Sequence, residues 1–323
     1  MFRSGRFKRA YEISRPSFTF HSSRMPDVFK AALEPLGGQE YKLGDDHIDL
    51  LYTSEPPANI EGVSIGVNLM HRRATSALDN KAKCAKALAP FGLSVPRTYF
   101  RVEDVPDDPD TMWYIKDPIG TGGVGVSLVS REEVASNFTD GYLIQEAVQD
   151  IVLLEGKKFT LRLYVLIHEG IFYLFQDALV VLHGVLSPAA AVKLLANEDG
   201  YRDSNLNAKI FPFSDISFYN TALANIETSL GQIFRRLKQY TPYEQVNTYC
   251  LLGIDMLLTS NLQPVLIEIN DRPNLAHTTV ATARVTIPAI QAMYSILNFG
   301  SQANLIGVAK KFEPLEIGKP NWR

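Results

Sequence analysis

Two acids sit inside runs that are otherwise apolar. Leu252-Gly253-Ile254-Asp255-Met256-Leu257-Leu258 and Pro264-Val265-Leu266-Ile267-Glu268-Ile269-Asn270 each carry one carboxylate. Short apolar runs bounded by turn-forming residues read as strands. The link between these two centres near Asn261-Leu262. Antiparallel pairing about that centre sets Asp255 directly opposite Glu268. Like charges so placed destabilise a sheet, and a bare charge in apolar surroundings is costly. By strand alternation Asn270 shares the face of Glu268, while Ile254, Met256, Ile267 and Ile269 take the other. Two carboxylates and an amide oxygen suit a hard cation such as Mg²⁺, which also holds nucleotide phosphates. The competing reading is another register, with each acid separately solvated.

Two further segments carry matching positive charge. In Trp113-Tyr114-Ile115-Lys116-Asp117-Pro118-Ile119-Gly120-Thr121-Gly122-Gly123-Val124-Gly125-Val126 a strand ends in a lysine and a glycine-rich turn leads into a second strand. Glycines let backbone amides approach anionic oxygens, and a strand-end lysine adds a point charge. The pattern is neither a Walker A loop nor a Rossmann fingerprint, both of which open a helix. A plain hairpin turn reads as well from these residues alone. In Gly156-Lys157-Lys158-Phe159-Thr160-Leu161-Arg162-Leu163-Tyr164-Val165, alternation sends Lys158, Thr160 and Arg162 one way. Phe159, Leu161, Leu163 and Val165 go the other. That is a polyanion site or a solvated polar face.

Composition narrows the setting. The 323 residues predict about two domains at ~150 residues each. With Lys plus Arg at 32, Asp plus Glu at 35 and a net charge of −3, a globally basic surface for nucleic acid is not expected. Cys84 and Cys250 make neither a disulfide framework nor a zinc site and read as reduced core thiols of a cytoplasmic protein. The longest apolar region, 161–186, is broken by His168, Glu169, Gln176 and Asp177. No membrane span is therefore expected. The N-terminal MFRSGRFKRAYEISRPSF reads as a flexible basic arm, with an organellar transit peptide as the alternative.

Along the chain, short apolar runs at 18–21, 48–52 and 63–67 with a helix over 27–36 predict a small α/β unit. Helices are predicted over 76–89, 131–137, 222–237 and 281–297. Strands are predicted over 95–102, 111–116, 125–129, 142–148, 159–167, 171–182, 251–258 and 264–269. Residues 187–220 are polar and irregular.

In order, the strand-end lysine, the glycine turn, Ile144-Gln145-Glu146, the Gly156 to Arg162 run, Gly253-Ile254-Asp255 and Glu268-Ile269-Asn270 resemble the tubulin–tyrosine ligase-like family of the ATP-grasp superfamily. The resemblance covers about 69–275. It implies an α/β (α+β) ATP-grasp fold: an N-terminal α/β domain over 1–68, then subdomains over 69–146 and 147–323 that clamp the nucleotide. By the same resemblance Lys116 is the nucleotide lysine, and Gly120, Gly123 and Gly125 are the phosphate flap. Gln145, Glu146, Ala147 and Val148 meet adenine largely through backbone, and Thr160 stands at the ribose position. Lys158 and Arg162 act on the triphosphate and the reacting carboxylate. Asp255, Glu268 and Asn270 hold Mg²⁺, and Lys81 is either a further nucleotide lysine or a surface residue.

The chain departs from the family pattern in four places; one is the family's Thr-Asn element, for which Asn197 and Asn205 are the candidate counterparts. Thr160 replaces an acid, Ala147 replaces an aromatic, and Val181 falls near a second arginine, for which Arg202, Lys209 or His183 are candidate substitutes. The implied activity is ATP-dependent addition of a free amino acid, of glutamate, glycine or tyrosine type, to a protein or peptide acceptor through an acyl phosphate. A tubulin tail is one such acceptor. The alternatives are a nucleotide-binding pseudoenzyme and an ATP-grasp ligase or kinase acting on a small molecule.

Overall fold

The computed structural model describes residues 18–42, 45, 47–52, 64–69, 78–89, 95–120, 125–183, 209–238, 248–299 and 312–316. Gly123, Asn197, Arg202, Asn205 and the N-terminal arm lie outside them.

Alternation builds the central strands. β9 (Phe159–His168) and β10 (Ile171–Leu182) form a hairpin, and β12 (Thr248–Leu258) lies antiparallel on the other side of β9. Phe159, Leu161, Leu163 and Val165 point to one face. There they pack with Ile254 and Met256 beneath α2 (Lys81–Leu88) and α4 (Tyr219–Leu237). The opposite face of β9 changes character along its length. Lys158, Thr160 and Arg162 face a cleft, whereas Tyr164 and Leu166 are buried. β12 does the same, with Asp255 at the cleft and Tyr249 and Leu251 in the core. Over that buried half lie α1 (Pro26–Leu33) and the helical run α5 (Thr279–Ala281), a π-turn (Thr282–Thr286) and α6 (Ile287–Phe299).

The ten-stranded sheet runs β11 (Lys209–Pro212), β10, β9, β12, β4 (Ser64–Leu69), β3 (His47–Tyr52), β1 (Phe18–Ser22), β2 (Gly38–Glu40). β14 (Phe312–Pro314) joins β10, and β13 (Pro264–Asn270) joins β12. The first residues of β12 pair with β4 and its last six with β13, on the same edge. β13 thus takes over where β4 leaves, and Asp255 is flanked on both sides. A four-stranded sheet of β5 (Thr98–Tyr99), β8 (Leu143–Glu146), β6 (Trp113–Lys116) and β7 (Val126–Val129) has its own core of Trp113, Ile115, Val129 and Ile144. A short helix, α3 (Val134–Asn137), covers it.

Several boundaries differ from the sequence expectation. α2 starts at Lys81 because the Asn80 side chain caps it, accepting from Lys83 N–H at 2.9 Å. The 95–102 run pairs only at Thr98 and Tyr99, then turns through Val102–Asp104. Among the described residues one helical run, Thr279–Asn298, is long and apolar enough to cross a membrane by length and composition. Its Val285, Ala289, Ile290 and Met293 are fully buried, so it serves here as a core helix.

Candidate active site

Both sheets face one cleft of about 480 Å³. From the small sheet and its connections come Tyr114, Lys116, Gly120, Gln145, Glu146 and Val148. The large sheet supplies Lys158, Thr160, Arg162, Asp255, Glu268 and Asn270. Two lysines tie the walls together. Lys81 Nζ donates to the Gly120 carbonyl at 2.6 Å and lies 3.4 Å from Glu268. Lys158 Nζ donates to the Tyr114 hydroxyl at 3.3 Å.

Asp255 pairs across the sheet with Glu268 on one side and Arg162 on the other. Arg162 grips it with two bonds, Nε to Oδ1 at 2.5 Å and Nη2 to Oδ2 at 2.9 Å. The Asp255–Glu268 register depends on a β-bulge between Asp255 and Met256, where Leu266 opposes Met256. The bulge corrects one expectation: Ile267 lines the cleft instead of the core, because an extra residue breaks the strict alternation. Burial raises the Asp255 carboxyl, against the pull of Arg162 and with the push of Glu268. Burial opposes the Glu268 charge too, but Lys81, Asp255, Lys116 and Arg162 together hold it below the usual carboxylate range.

Asn270 turns its amide nitrogen to both acids, 3.3 Å from Glu268 and 3.5 Å from Asp255. A half-turn of that amide presents the oxygen instead. Among the described residues no group of three or more His, Cys, Asp or Glu is placed to hold a metal. The candidate donor set is therefore two carboxylates and one amide. Three hard oxygens are a donor set of the kind Mg²⁺ takes, and Asp255 would then serve both the ion and Arg162.

Lys116 is buried at the end of β6, its Nζ 2.6 Å from Gln145 Oε1. Burial lowers its ammonium to about 8, and Lys81 and Lys158 act in the same direction while Glu268 opposes them. A cation held against its own desolvation fits a site that awaits a polyanion. The turn after it matches that role. Gly125 has φ +70°, and a Cβ there would meet Asp117 Cβ at 2.8 Å.

The remaining expected residues fall into different places. Gln145 is buried and positions Lys116, with its amide nitrogen donating to Thr98 Oγ1 at 3.2 Å. The Glu146 carboxylate turns to Arg97, and its N–H donates to the Arg97 carbonyl. Ala147 N–H donates to the Met112 carbonyl, so the amides of Glu146 and Ala147 are engaged within the protein. Ala147 is absent from the residues lining the cleft. Thr160 Oγ1 is 3.0 Å from His183 Nε2, and Val181 pairs across from Thr160. Burial and then Lys158 lower the His183 imidazole to about 4, so it is neutral at neutral pH.

Sequence reasoning did not single out Tyr114, Arg24, Arg272 or His277, all of which line the cleft. Tyr114 was accessible, since it alternates with Lys116 along β6. Arg24 reaches the site only through long-range folding, whereas Arg272 and His277 follow Asn270 in an irregular loop that carries no periodic signal.

The fold and cleft define an α/β protein of ATP-grasp architecture. The profile of the tubulin-tyrosine ligase family matches residues 68–182 and 221–303, and the chain belongs to that family. A probable tubulin polyglutamylase, ttll-9 of Caenorhabditis elegans, is 26% identical over 252 residues. That alignment covers 66% of this chain and 60% of the relative, so the chain spans less than two thirds of the relative's length.

Proposed function

We propose that this chain is an ATP-dependent carboxylate–amine ligase, cytoplasmic, that adds an amino acid to an acidic protein or peptide. The observation that carries this is Asp255, held between Arg162 and Glu268 in the cleft that also contains buried Lys116. The relative's name makes glutamate the first donor to test and a tubulin tail the first acceptor.

A carboxylate resists attack by an amine until one oxygen becomes a leaving group. In the proposed reaction a substrate carboxylate oxygen bonds to the γ-phosphorus of ATP and the bond to ADP breaks. The amine nitrogen then bonds to the acyl carbon, phosphate leaves, and the nitrogen loses a proton to water. Mg²⁺ held by Asp255, Glu268 and Asn270 would offset charge on the β- and γ-phosphates. Lys116, Gly120 and Gly125 would hold the phosphates. Lys158, hydrogen-bonded to the Tyr114 hydroxyl, would add a further charge to the triphosphate. Arg162, anchored by Asp255, would offer its remaining N–H groups to the reacting oxygens. This is catalysis by position and fixed charge, with no protein nucleophile.

An acidic peptide incubated with the protein, ATP, Mg²⁺ and glutamate should gain the mass of glutamyl residues, with one ADP released per residue. Nucleotide bound without ADP release or mass gain would favour the second reading, a nucleotide-binding protein without turnover. One observation supports that alternative: Val181, an apolar residue, lines the cleft across from Thr160.

A further inference from the structure

The same cleft has another charged region, to which the phosphate chemistry gives no role. Arg24, from the connection between β1 and α1, lines it together with Arg272, Asn274 and His277 from the loop after β13. The two segments are sewn together across the whole chain. Arg24 Nη1 donates to the Arg272 carbonyl at 3.1 Å, and Leu275 N–H donates to Met25 Sδ at 3.1 Å. Pro273 packs so closely on β12 that a Cβ on Gly253 would lie 2.7 Å from it. This loop is fixed in place beside Arg162, which that Cβ would also approach, at 3.2 Å.

Arg272 is held by one end only. Its Nε lies 3.9 Å from Asp271 Oδ1, while its Nη2 is buried and has no hydrogen-bond acceptor among the described residues. A buried guanidinium N–H without an acceptor is costly. Asp271 and Asp79 are not among the cleft-lining residues. His277 adds no charge at neutral pH: burial and then Arg162 lower it to about 4, and its Nε2 lies 3.0 Å from the Asn274 carbonyl and 3.3 Å from the Tyr164 hydroxyl. The cations offered here are two guanidiniums, whose planar fork matches a carboxylate.

We propose that Arg24 and Arg272 form a carboxylate-binding subsite that anchors a substrate carboxylate other than the one being activated. The inference rests on the ligase reading. Glutamate and an acidic peptide each carry several carboxylates, and the reaction activates one. Fixing a second one selects which is activated and brings it to Arg162. The carboxylate comes either from the donor amino acid or from the acceptor, and the experiment separates these sources.

The test compares the full chain with R272Q, R272K and R24Q, measuring KM separately for glutamate, acidic peptide and ATP. Loss of a charge-assisted pair should raise one carboxylate substrate's KM about ten- to a hundredfold in R272Q. R272K should lose less, R24Q should move the same substrate, and the ATP KM should stay within about twofold. The substrate whose KM moves names the source. All KM values unchanged, or ATP KM rising in step, would overturn the subsite while leaving the ligase reading intact. Should the wild-type chain show no ligation, the ligase reading falls. Calorimetry of glutamate and of the peptide then decides the subsite: binding to wild type that is lost in R272Q supports it. Equal binding to both, or none to either, overturns it.

Discussion

A charge held away from water needs an opposite charge beside it, and the cleft is arranged around that requirement. Arg162 and Asp255 satisfy one another through two bonds, so removing one partner strands the other. D255A is expected to cost about 3–5 kcal/mol of stability, read from denaturant unfolding. E268Q should behave differently. It leaves the Arg162 pair intact but removes a partly buried charge that Lys81, Lys116 and Arg162 stabilise, so its unfolding midpoint should fall less than that of D255A. Its Mg²⁺-dependent turnover should drop about a hundredfold or more. Equal destabilisation by both variants would remove that distinction. Lys116 provides a pH test. Its ammonium titrates near 8 in the free protein, below the usual lysine value, chiefly because it is buried. A bound triphosphate restores the charge, so above pH 8 binding must take up a proton. ATP affinity should be flat below pH 7 and fall toward tenfold per unit above 8, measured by calorimetry. Constant affinity up to pH 9.5 would contradict it.

At the scale of elements, β12 does the most. It runs from core to cleft, paired with β9 from Tyr249 to Met256 and with β4 and then β13 on its other edge. Gly253 is the point where the 271–277 loop presses on it. G253A should force Pro273 or Arg162 aside, costing about 1–3 kcal/mol. Turnover should fall more than nucleotide affinity, by comparison of kcat with the ATP dissociation constant. Much of this strand architecture was legible beforehand. Alternation separated Lys158, Thr160 and Arg162 from Phe159, Leu161 and Leu163, and turn spacing set Asp255 against Glu268. The bulge that turns Ile267 to the cleft was not legible, because one extra residue leaves no periodic trace. Nor was the Arg162–Asp255 pair, since adjacency of β9 and β12 is a tertiary choice between segments 93 residues apart. Arg24 and Arg272 meet across 248 residues for the same reason. Short elements were also hidden: β5 is two residues and α3 four, too brief to show a period.

At the scale of the molecule, two sheets with separate cores contribute opposite walls of one cleft. A ligand touching both walls links them, and Lys81 and Lys158 already do so weakly. Saturating Mg²⁺ and ATP should therefore raise the thermal midpoint, with about 2.7 kcal/mol of added stability at a hundred times the dissociation constant. K116M should abolish that rise without lowering the midpoint of the free protein. The order of bond making is tested most directly with ¹⁸O in the carboxylate that is to be activated. If that carboxylate attacks the γ-phosphorus, each new amide bond releases ADP and a phosphate carrying one ¹⁸O. Amide formation with unlabelled phosphate, or with AMP and pyrophosphate as products, would contradict the account.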